Sequence, residues 1–188
     1  YGATIVKYGA ENAKWETGEK VNIGLEFGLF DKLTLITDFF YEMRKDIFMQ
    51  RRTMPTTVGI GEAQPYINMG KVKNKGVDLS LEYNHAFRPD ILLSVRGNFT
   101  YAANELVEKD EPRQLFPYQS EIGLPLNMPY GLIAEGLFKD EADIENSPKQ
   151  TYVQVKPGDI KYKDMNGDNV IDDFDMTYLS HQVSAPPL

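Results

Sequence analysis

Four stretches of the chain alternate apolar and polar residues with a period of two, as a β-strand does when one of its faces is apolar. They span residues 21–30, 33–44, 77–84 and 91–101. The pattern predicts four strands that share an apolar face, with charged residues on the opposite face. The apolar face is expected to include Leu25, Leu35, Leu79 and Leu93, and the polar face Glu26, Asp38, Glu42, Asp78, Glu82 and Arg96.

The connections between these strands alternate in length. Short turns, "FDKL" and "HAFRPD", join the first strand to the second and the third to the fourth, whereas a long segment rich in Gly, Pro and Thr separates the second from the third. Short turns at one edge and long loops at the other are typical of an outer-membrane β-barrel. The sequence therefore predicts an all-β fold in which antiparallel hairpins form part of a large transmembrane β-barrel, with a long extracellular loop segment after them.

A soluble β-sandwich also alternates apolar and polar positions, so it stays open as an alternative. Two features favour the membrane. The polar face carries many charges for a single sheet, as a water-filled lumen allows, and the longer apolar stretches have the nine to eleven residues that a tilted strand needs to cross a bilayer.

Charge divides the chain into two regions. Residues 1–105 hold 13 acidic and 13 basic residues, whereas residues 106–188 hold 15 acidic and 7 basic residues and so carry the whole net charge of −8. We therefore expect barrel strands in 1–105 and an extracellular loop region with an acidic turn in 106–188, which includes short strands in 130–138 and 158–164. This charge argues against nucleic acid as a partner. The absence of cysteine excludes disulfides and thiolate metal sites.

The stretch "KDMNGDNVIDDFD", residues 163–175, which we call the acidic turn, has the spacing of an EF-hand calcium loop. Its position six is Asn169 instead of glycine, and its position twelve is aspartate instead of the longer glutamate. An alternative is a solvated turn in which Asp and Asn cap their own backbone. The candidate Ca²⁺ ligands are Asp164, Asn166, Asp168, the carbonyl of Val170, Asp172 and Asp175.

Other side chains suggest surfaces but no catalytic centre. The aromatic residues Trp15, Tyr41, Tyr83 and Tyr101 fit an interfacial girdle better than sugar stacking. Lys71, Lys73 and Lys75 share one side of the third strand, where they would face either lipopolysaccharide phosphates or solvent. The charged residues of the polar face are expected to line a lumen, because nothing in their spacing demands acid–base chemistry.

Four stretches, in order, resemble elements of one transporter family. They are "NAKWETGEKVNIGLEFGLFDKLTLITDFFYEMRKDIF", "INMGKVKNKGVDLSLEYN", "GLIAEGLFKDEADIENSP" and "PGDIKYKDMNGDNVIDDFDMTYLS". Together they resemble the C-terminal region of SusC/RagA-type TonB-linked outer-membrane transporters. Nothing in the chain resembles the N-terminal plug or the TonB box of that family, so the chain is expected to be a fragment.

The resemblance implies a large barrel in the outer membrane, in contact with its lipid, that is not an enzyme. It implies a SusD-like surface lipoprotein as partner, import of an oligosaccharide or peptide, and coupling to the TonB complex through the missing N-terminal region. The alternatives are a secreted soluble β-domain that acts on or binds carbohydrate, with a calcium-binding loop, and a soluble calcium-binding module of a cell-surface assembly.

Overall fold

The computed structural model describes residues 9–10, 12–54 and 64–179. Its largest feature is one antiparallel sheet of four long strands in the order β1-β2-β3-β4. The strands are β1 (Thr17–Leu29), β2 (Leu33–Gln50), β3 (Tyr66–Arg88) and β4 (Ile91–Glu108). The prediction of an all-β fold with two antiparallel hairpins is confirmed, and every strand is longer than its alternating stretch.

Cross-strand register fixes which side chains share a face, because residues directly opposite each other project to the same side. Leu25 pairs with Thr37, which pairs with Leu79, and the next row on the same face contains Leu35. Leu93 lies opposite His85, on that same face of β3. The predicted common face of the four leucines is therefore confirmed, and we call it the outward face.

The opposite face carries the predicted polar set. Asp38 lies directly opposite Asp78, and Glu82 lies opposite Arg96. Glu26 is opposite Ile36, one of two apolar residues that interrupt the polar pattern of β2. The other is Phe40, whose ring lies over Gly76: a Cβ atom at that glycine would come within 2.4 Å of the ring and 2.2 Å of the Tyr101 carbonyl oxygen. We call this side the lumen face.

The hairpin between β1 and β2 is closed by a tight turn with left-handed backbone at two positions. Phe30 and Asp31 have φ values of 57° and 53°, and the Lys32 N–H donates to the Leu29 carbonyl at 3.2 Å. Two successive positive φ angles are the geometry of a type I′ turn, whose twist matches that of the flanking strands. The β3–β4 connection is shorter by one residue, since only residues 89–90 separate the two strands.

At the opposite end of the sheet, β2 contains an irregularity. The register against β3 shifts between Arg44 and Ile47, and Asp46 has a φ of 57°. The Asn68 side chain stabilises this bulge by donating to the Asp46 carbonyl at 2.7 Å and to the Lys14 carbonyl at 2.9 Å. A bulge of this kind bends the strand as it leaves the regular sheet.

The chain divides into two compact units. The first comprises 1–110 and 122–126, and the second comprises 111–121 and 127–188. In the first unit, residues 122–126 return to β4, where the Leu106 N–H donates to the Leu124 carbonyl at 2.8 Å. Part of the edge of β4 is covered in this way.

The second unit is built from short elements and 3₁₀ turns at Pro117–Gln119 and Asp173–Asp175. Its short elements are β5 (Tyr130–Gly131), β6 (Ala134–Leu137), α1 (Glu141–Glu145), β7 (Lys149–Gln150), β8 (Ile160–Tyr162), β9 (Val170–Ile171) and β10 (Thr177–Tyr178). β10 pairs with β5 and β6 pairs with β8, both antiparallel, while β7 and β9 pair in parallel. The expected strands in 130–138 and 158–164 are thus present.

Among the described residues, no helix has the length and apolar character needed to span a membrane.

Candidate functional site

The acidic turn is organised by carboxylates that accept hydrogen bonds from backbone N–H groups. Asp164 accepts from Gly167 at 2.6 Å and from Asn169 at 2.8 Å. Gly167 and Asn169 both have left-handed backbone, with φ values of 81° and 65°. The Asn at position six therefore adopts the conformation that glycine would otherwise supply, as short polar side chains allow.

The middle of the turn repeats the same local pattern. Asp168 accepts the Val170 N–H at 2.8 Å, while its own N–H donates to the Asn166 side chain at 3.0 Å. The Asn166 amide group also donates to the Asp168 carboxylate at 2.9 Å. These are Asx-type contacts, in which a short side chain takes the place of a backbone turn.

The most buried carboxylate of the turn is Asp175, which has no solvent exposure. One carboxylate oxygen accepts the Met165 N–H at 2.8 Å and the other accepts the Asp172 N–H at 2.9 Å. The Asp172 side chain accepts the Phe174 N–H at 2.8 Å. It also accepts the backbone N–H of Asp175, which completes a reciprocal capping box at the following 3₁₀ turn. Asp175 thus joins the two ends of the loop.

All six predicted ligand residues lie in this one turn, and the described part of the chain contains no group of three or more His, Asp or Glu side chains arranged to hold a metal ion. The carboxylates instead point toward the amides of the turn. Calcium ligation by Asp164, Asn166, Asp168, Val170, Asp172 and Asp175 stays a prediction.

Hydrogen bonds also set the ionisation of the turn. Burial of the Asp164 carboxyl group opposes its ionisation, but the backbone N–H groups of Asn169 and Gly167 outweigh burial and lower its pKa. Burial raises the pKa of Tyr152, whose hydroxyl donates to the Asp173 carboxylate at 2.6 Å. Asp164 is therefore ionised and Tyr152 protonated at neutral pH.

Contacts from distant residues fix the turn within the second unit. Ile171 is fully buried, and its carbonyl accepts the Thr151 N–H at 3.2 Å and hydroxyl at 2.8 Å. The Tyr118 hydroxyl donates to the Phe174 carbonyl at 2.7 Å. No local sequence signal indicates the roles of Tyr118, Tyr152 and Thr151, because each of these side chains contacts a residue 20 or more positions away.

The lumen face carries a partly paired set of charges. Arg96 Nε donates to the Glu82 carboxylate at 3.1 Å, and the Asn84 amide group donates to the same carboxylate at 2.8 Å. The Ser80 hydroxyl donates to Asn98 at 2.9 Å. Such cross-strand polar pairs fit a water-facing surface and perform no evident chemistry.

The aromatic candidates fall in two places. Tyr41, Tyr83 and Tyr101 all lie on the outward face. Trp15 precedes β1, is 93% exposed, and lines a cavity of about 610 Å³ together with Lys14 and Phe48.

The three lysines of β3 also lie on the outward face. Lys73 forms an ion pair with Glu105 at 2.6 Å, and Lys71 forms one with Glu108. Lys75 is exposed, and within the described ranges it makes no ion pair.

The second unit contains a cavity of about 560 Å³, and its walls are mainly apolar and aromatic. Gln150 and Asp159 are its polar members, and both accept backbone N–H groups of the same unit, from Tyr162 and Lys156. The cavity is lined by Leu132, Gln150, Tyr152, Val153, Val155, Asp159, Ile160, Tyr162 and Met176.

Comparisons with known proteins agree on one family. Residues 1–180 match the family described as TonB dependent receptor-like, beta-barrel. The chain is 25% identical over 115 residues to TonB-dependent receptor P3 of Formosa agariphila, an alignment that covers 61% of this chain and 11% of that protein.

Solved structures give the same result. The chain superposes on the RagAB peptide importer in its closed-closed state with a TM-score of 0.60 and 25% identity, covering 92% of this chain and 18% of that chain. The open-open state gives a TM-score of 0.61 at 23% identity, covering 89% of this chain and 18% of that chain. The chain therefore spans less than a fifth of the length of these relatives.

The open four-stranded sheet is thus a segment of a barrel wall that the described strands do not close by themselves. The resemblance to SusC/RagA-type proteins is confirmed, and the chain belongs to the TonB-dependent receptor-like β-barrel family.

Proposed function

We propose that this chain is a wall and extracellular loop segment of a TonB-dependent transporter in the bacterial outer membrane. The observation that carries the proposal is the separation of the two sheet faces. Between the short turns and the row of Lys75, the outward face exposes apolar side chains on all four strands, with Ile23 58% and Phe99 57% exposed. The lumen face holds charged and amide side chains. This is the distribution that lipid on one side and water on the other require.

The alternative of a soluble secreted β-domain fits the outward face poorly. Soluble monomers rarely expose a contiguous apolar patch of more than a few hundred Å². Apolar residues of four adjacent strands are exposed here in successive rows. Membrane lipid covers such a surface without any further protein.

The ends of the sheet give its orientation. The two short turns lie at one end, and the long connection between β2 and β3 and the whole of 109–179 leave from the other. In outer-membrane barrels the short turns are periplasmic and the long loops extracellular. We therefore place residues 106–188 outside the cell, with barrel strands in 1–105.

The substrate and partners follow from the family and stay proposals. The matched structures are of a peptide importer, RagAB, which supports a peptide as the cargo and a SusD-like lipoprotein as the partner. The family resemblance keeps an oligosaccharide as the alternative cargo. The TonB complex would engage an N-terminal region outside this segment. In this proposal the chain is not an enzyme, and calcium would have a structural role in the acidic turn.

Uptake by cells that express the full-length protein tests this function. Labelled oligosaccharides and peptides should enter at a rate that falls to background when the proton gradient is dissipated, and the SusD-like lipoprotein should copurify with the transporter. Uptake that is insensitive to the gradient, or a full-length protein that is soluble without detergent, would rule out the proposal.

A further inference from the structure

The outward face shows where the hydrocarbon region ends. On β3 the outward positions from Val77 to Phe87 are apolar or aromatic apart from His85, and they span eleven residues. A tilted strand of that length rises about 25 Å, the height of the apolar band of an outer-membrane barrel. The next outward position toward the long loops is Lys75. Lys75 therefore lies at the outer boundary of the hydrocarbon region.

The neighbours of Lys75 agree with this placement. Tyr41 and Ala103 are its cross-strand partners, and Tyr101 lies one row closer to the apolar band. Tyrosines collect at the level of the lipid headgroups, where the ring is buried and the hydroxyl group is wet. The row of Lys75 is thus the interfacial row of this wall segment.

The lysines above that row are already neutralised by protein carboxylates. Lys73 pairs with Glu105, and Lys71 with Glu108. On the adjacent hairpin, Lys45 pairs with Glu19 at 2.6 Å. Among the described residues Lys75 alone of these outward lysines has no carboxylate within ion-pair distance.

An ammonium group at the edge of the hydrocarbon is stabilised by an anion at the same depth. The protein supplies none at this position, and the neighbouring Glu105 is engaged by Lys73. Lipid headgroup phosphates lie at this depth, and in the outer leaflet of a bacterial outer membrane they belong to lipopolysaccharide.

We propose that Lys75 binds a phosphate group of lipopolysaccharide, with the rings of Tyr41 and Tyr101 against the upper part of the same lipid. Lys71 and Lys73 lie beside this site in ion pairs with Glu108 and Glu105. They attract the lipid phosphate only where the phosphate replaces the glutamate as their partner. The inference rests on the outer-membrane placement proposed above.

Lipopolysaccharide binding to the purified full-length protein tests the site, with native mass spectrometry in detergent as the readout. Lys75→Ala should weaken binding about fivefold, the effect of one cation near an anionic surface. Lys32→Ala is the matched control, because Lys32 is an exposed lysine in the short turn at the other end of the same sheet. Lys32→Ala should bind lipopolysaccharide as the parent does. Dephosphorylated lipopolysaccharide should bind to Lys75→Ala and to the parent with equal affinity.

Equal affinity of the parent and Lys75→Ala, or an equal loss in Lys32→Ala, would overturn the proposal. So would phosphatidylglycerol that competes as well as lipopolysaccharide, since the source would then be a phospholipid. Heat-modifiable migration and substrate uptake, measured on the same variants, test the transporter function separately from the phosphate site. If both are retained while Lys75→Ala binds lipopolysaccharide as the parent does, the phosphate site is ruled out and the transporter function is not.

Discussion

Asp110 shows how a single side chain can join segments that are far apart in sequence. Its carboxylate accepts the Thr53 N–H at 2.9 Å and the Thr53 hydroxyl at 2.7 Å, as well as the Arg52 N–H. It is 6% exposed. Burial opposes its ionisation, but these hydrogen bonds outweigh burial and lower its pKa. The chain just after β2 is thereby tied to the chain just after β4.

Replacing this carboxylate should loosen the segment after β2. Asp110→Asn removes the negative charge that the N–H groups of Arg52 and Thr53 share as acceptor, and hydrogen bonds to charged groups are worth about 1.5–3 kcal/mol. Hydrogen exchange of residues 50–54 in the full-length protein should accelerate about tenfold or more. Asp90→Asn, an exposed aspartate in the β3–β4 turn, should leave exchange there unchanged.

The pH dependence of this anchor has a definite sign. Because folding lowers the Asp110 pKa, its contribution is present at neutral pH and is lost as the pH falls below the ordinary value of 3.8 and through the folded pKa. Protection of 50–54, corrected for intrinsic exchange, should decline in that acid range in the parent and not in Asp110→Asn. The same decline in both proteins would contradict this role.

Asp175 should stabilise the acidic turn whether or not calcium is present. Asp175→Ala leaves the part-buried N–H groups of Met165 and Asp172 without their acceptor, at a cost of up to about 1–3 kcal/mol for each group. Limited proteolysis of the full-length protein should cut within 160–179 faster, in calcium and in chelator alike. Glu141→Ala, an exposed glutamate of the same unit, should not change the rate.

The calcium prediction is tested by the parent protein itself. If Asp164, Asp168 and Asp172 ligate Ca²⁺, the rate of proteolysis within 160–179 should fall as the Ca²⁺ concentration rises. Alanine at those three positions should abolish this protection. Equal cleavage of the parent in calcium and in chelator would leave the backbone hydrogen bonds as the only support of the turn.

At the scale of elements, alternation was sufficient to predict four strands and their faces, but not the ends of the strands. β3 begins at Tyr66, whereas alternation is visible only from Val77. The three outward positions immediately before Val77 are lysines, so the apolar period is interrupted there although the ladder continues. β2 runs through a bulge near Asp46, which shifts its period. Hydrogen bonding to a neighbouring strand extends β3 back to Tyr66 and β2 beyond the bulge. Such pairing leaves no local signal in the sequence.

Gly76 should be essential to the β2–β3–β4 ladder. Its missing side chain admits the Phe40 ring and the close approach of the Tyr101 carbonyl. Gly76→Val should reduce the fraction of folded, heat-modifiable barrel several-fold, because backbone cannot move aside as a side chain can. Gly97→Val is the matched control in β4, since a Cβ atom at Gly97 meets nothing within 4 Å. Equal assembly of the two variants would show that the close contact is unimportant.

The two faces of β3 should tolerate charge very differently. Leu81→Arg places a guanidinium group near the middle of the apolar band, at a cost of about 2–4 kcal/mol. Ser80→Arg, at the preceding residue, places it in the lumen beside Asn98. Unfolding from lipid vesicles should show destabilisation for Leu81→Arg and little change for Ser80→Arg. The reverse order would mean that the lipid-facing side is misassigned.

At the scale of the whole molecule, the segment contains only part of the machinery. It covers 11% of TonB-dependent receptor P3 and 18% of the RagAB importer chain. Short motifs were enough to predict the family, because strand-and-turn sequences such as "NIGLEFGLF" are specific in combination. Substrate and partner depend on surfaces built from the complete barrel, so neither follows from this segment.

The central claim is that the sheet crosses the outer membrane with 106–188 outside the cell, and cysteine labelling in living cells tests it most directly. The segment contains no cysteine, so single cysteines can replace the exposed Val153 of the second unit and Asp31 of the short turn in a full-length protein whose other cysteines are removed. A membrane-impermeant maleimide should label Val153→Cys in intact cells, and Asp31→Cys only after the outer membrane is permeabilised. Labelling of Asp31→Cys in intact cells, or protection of Val153→Cys, would contradict the account.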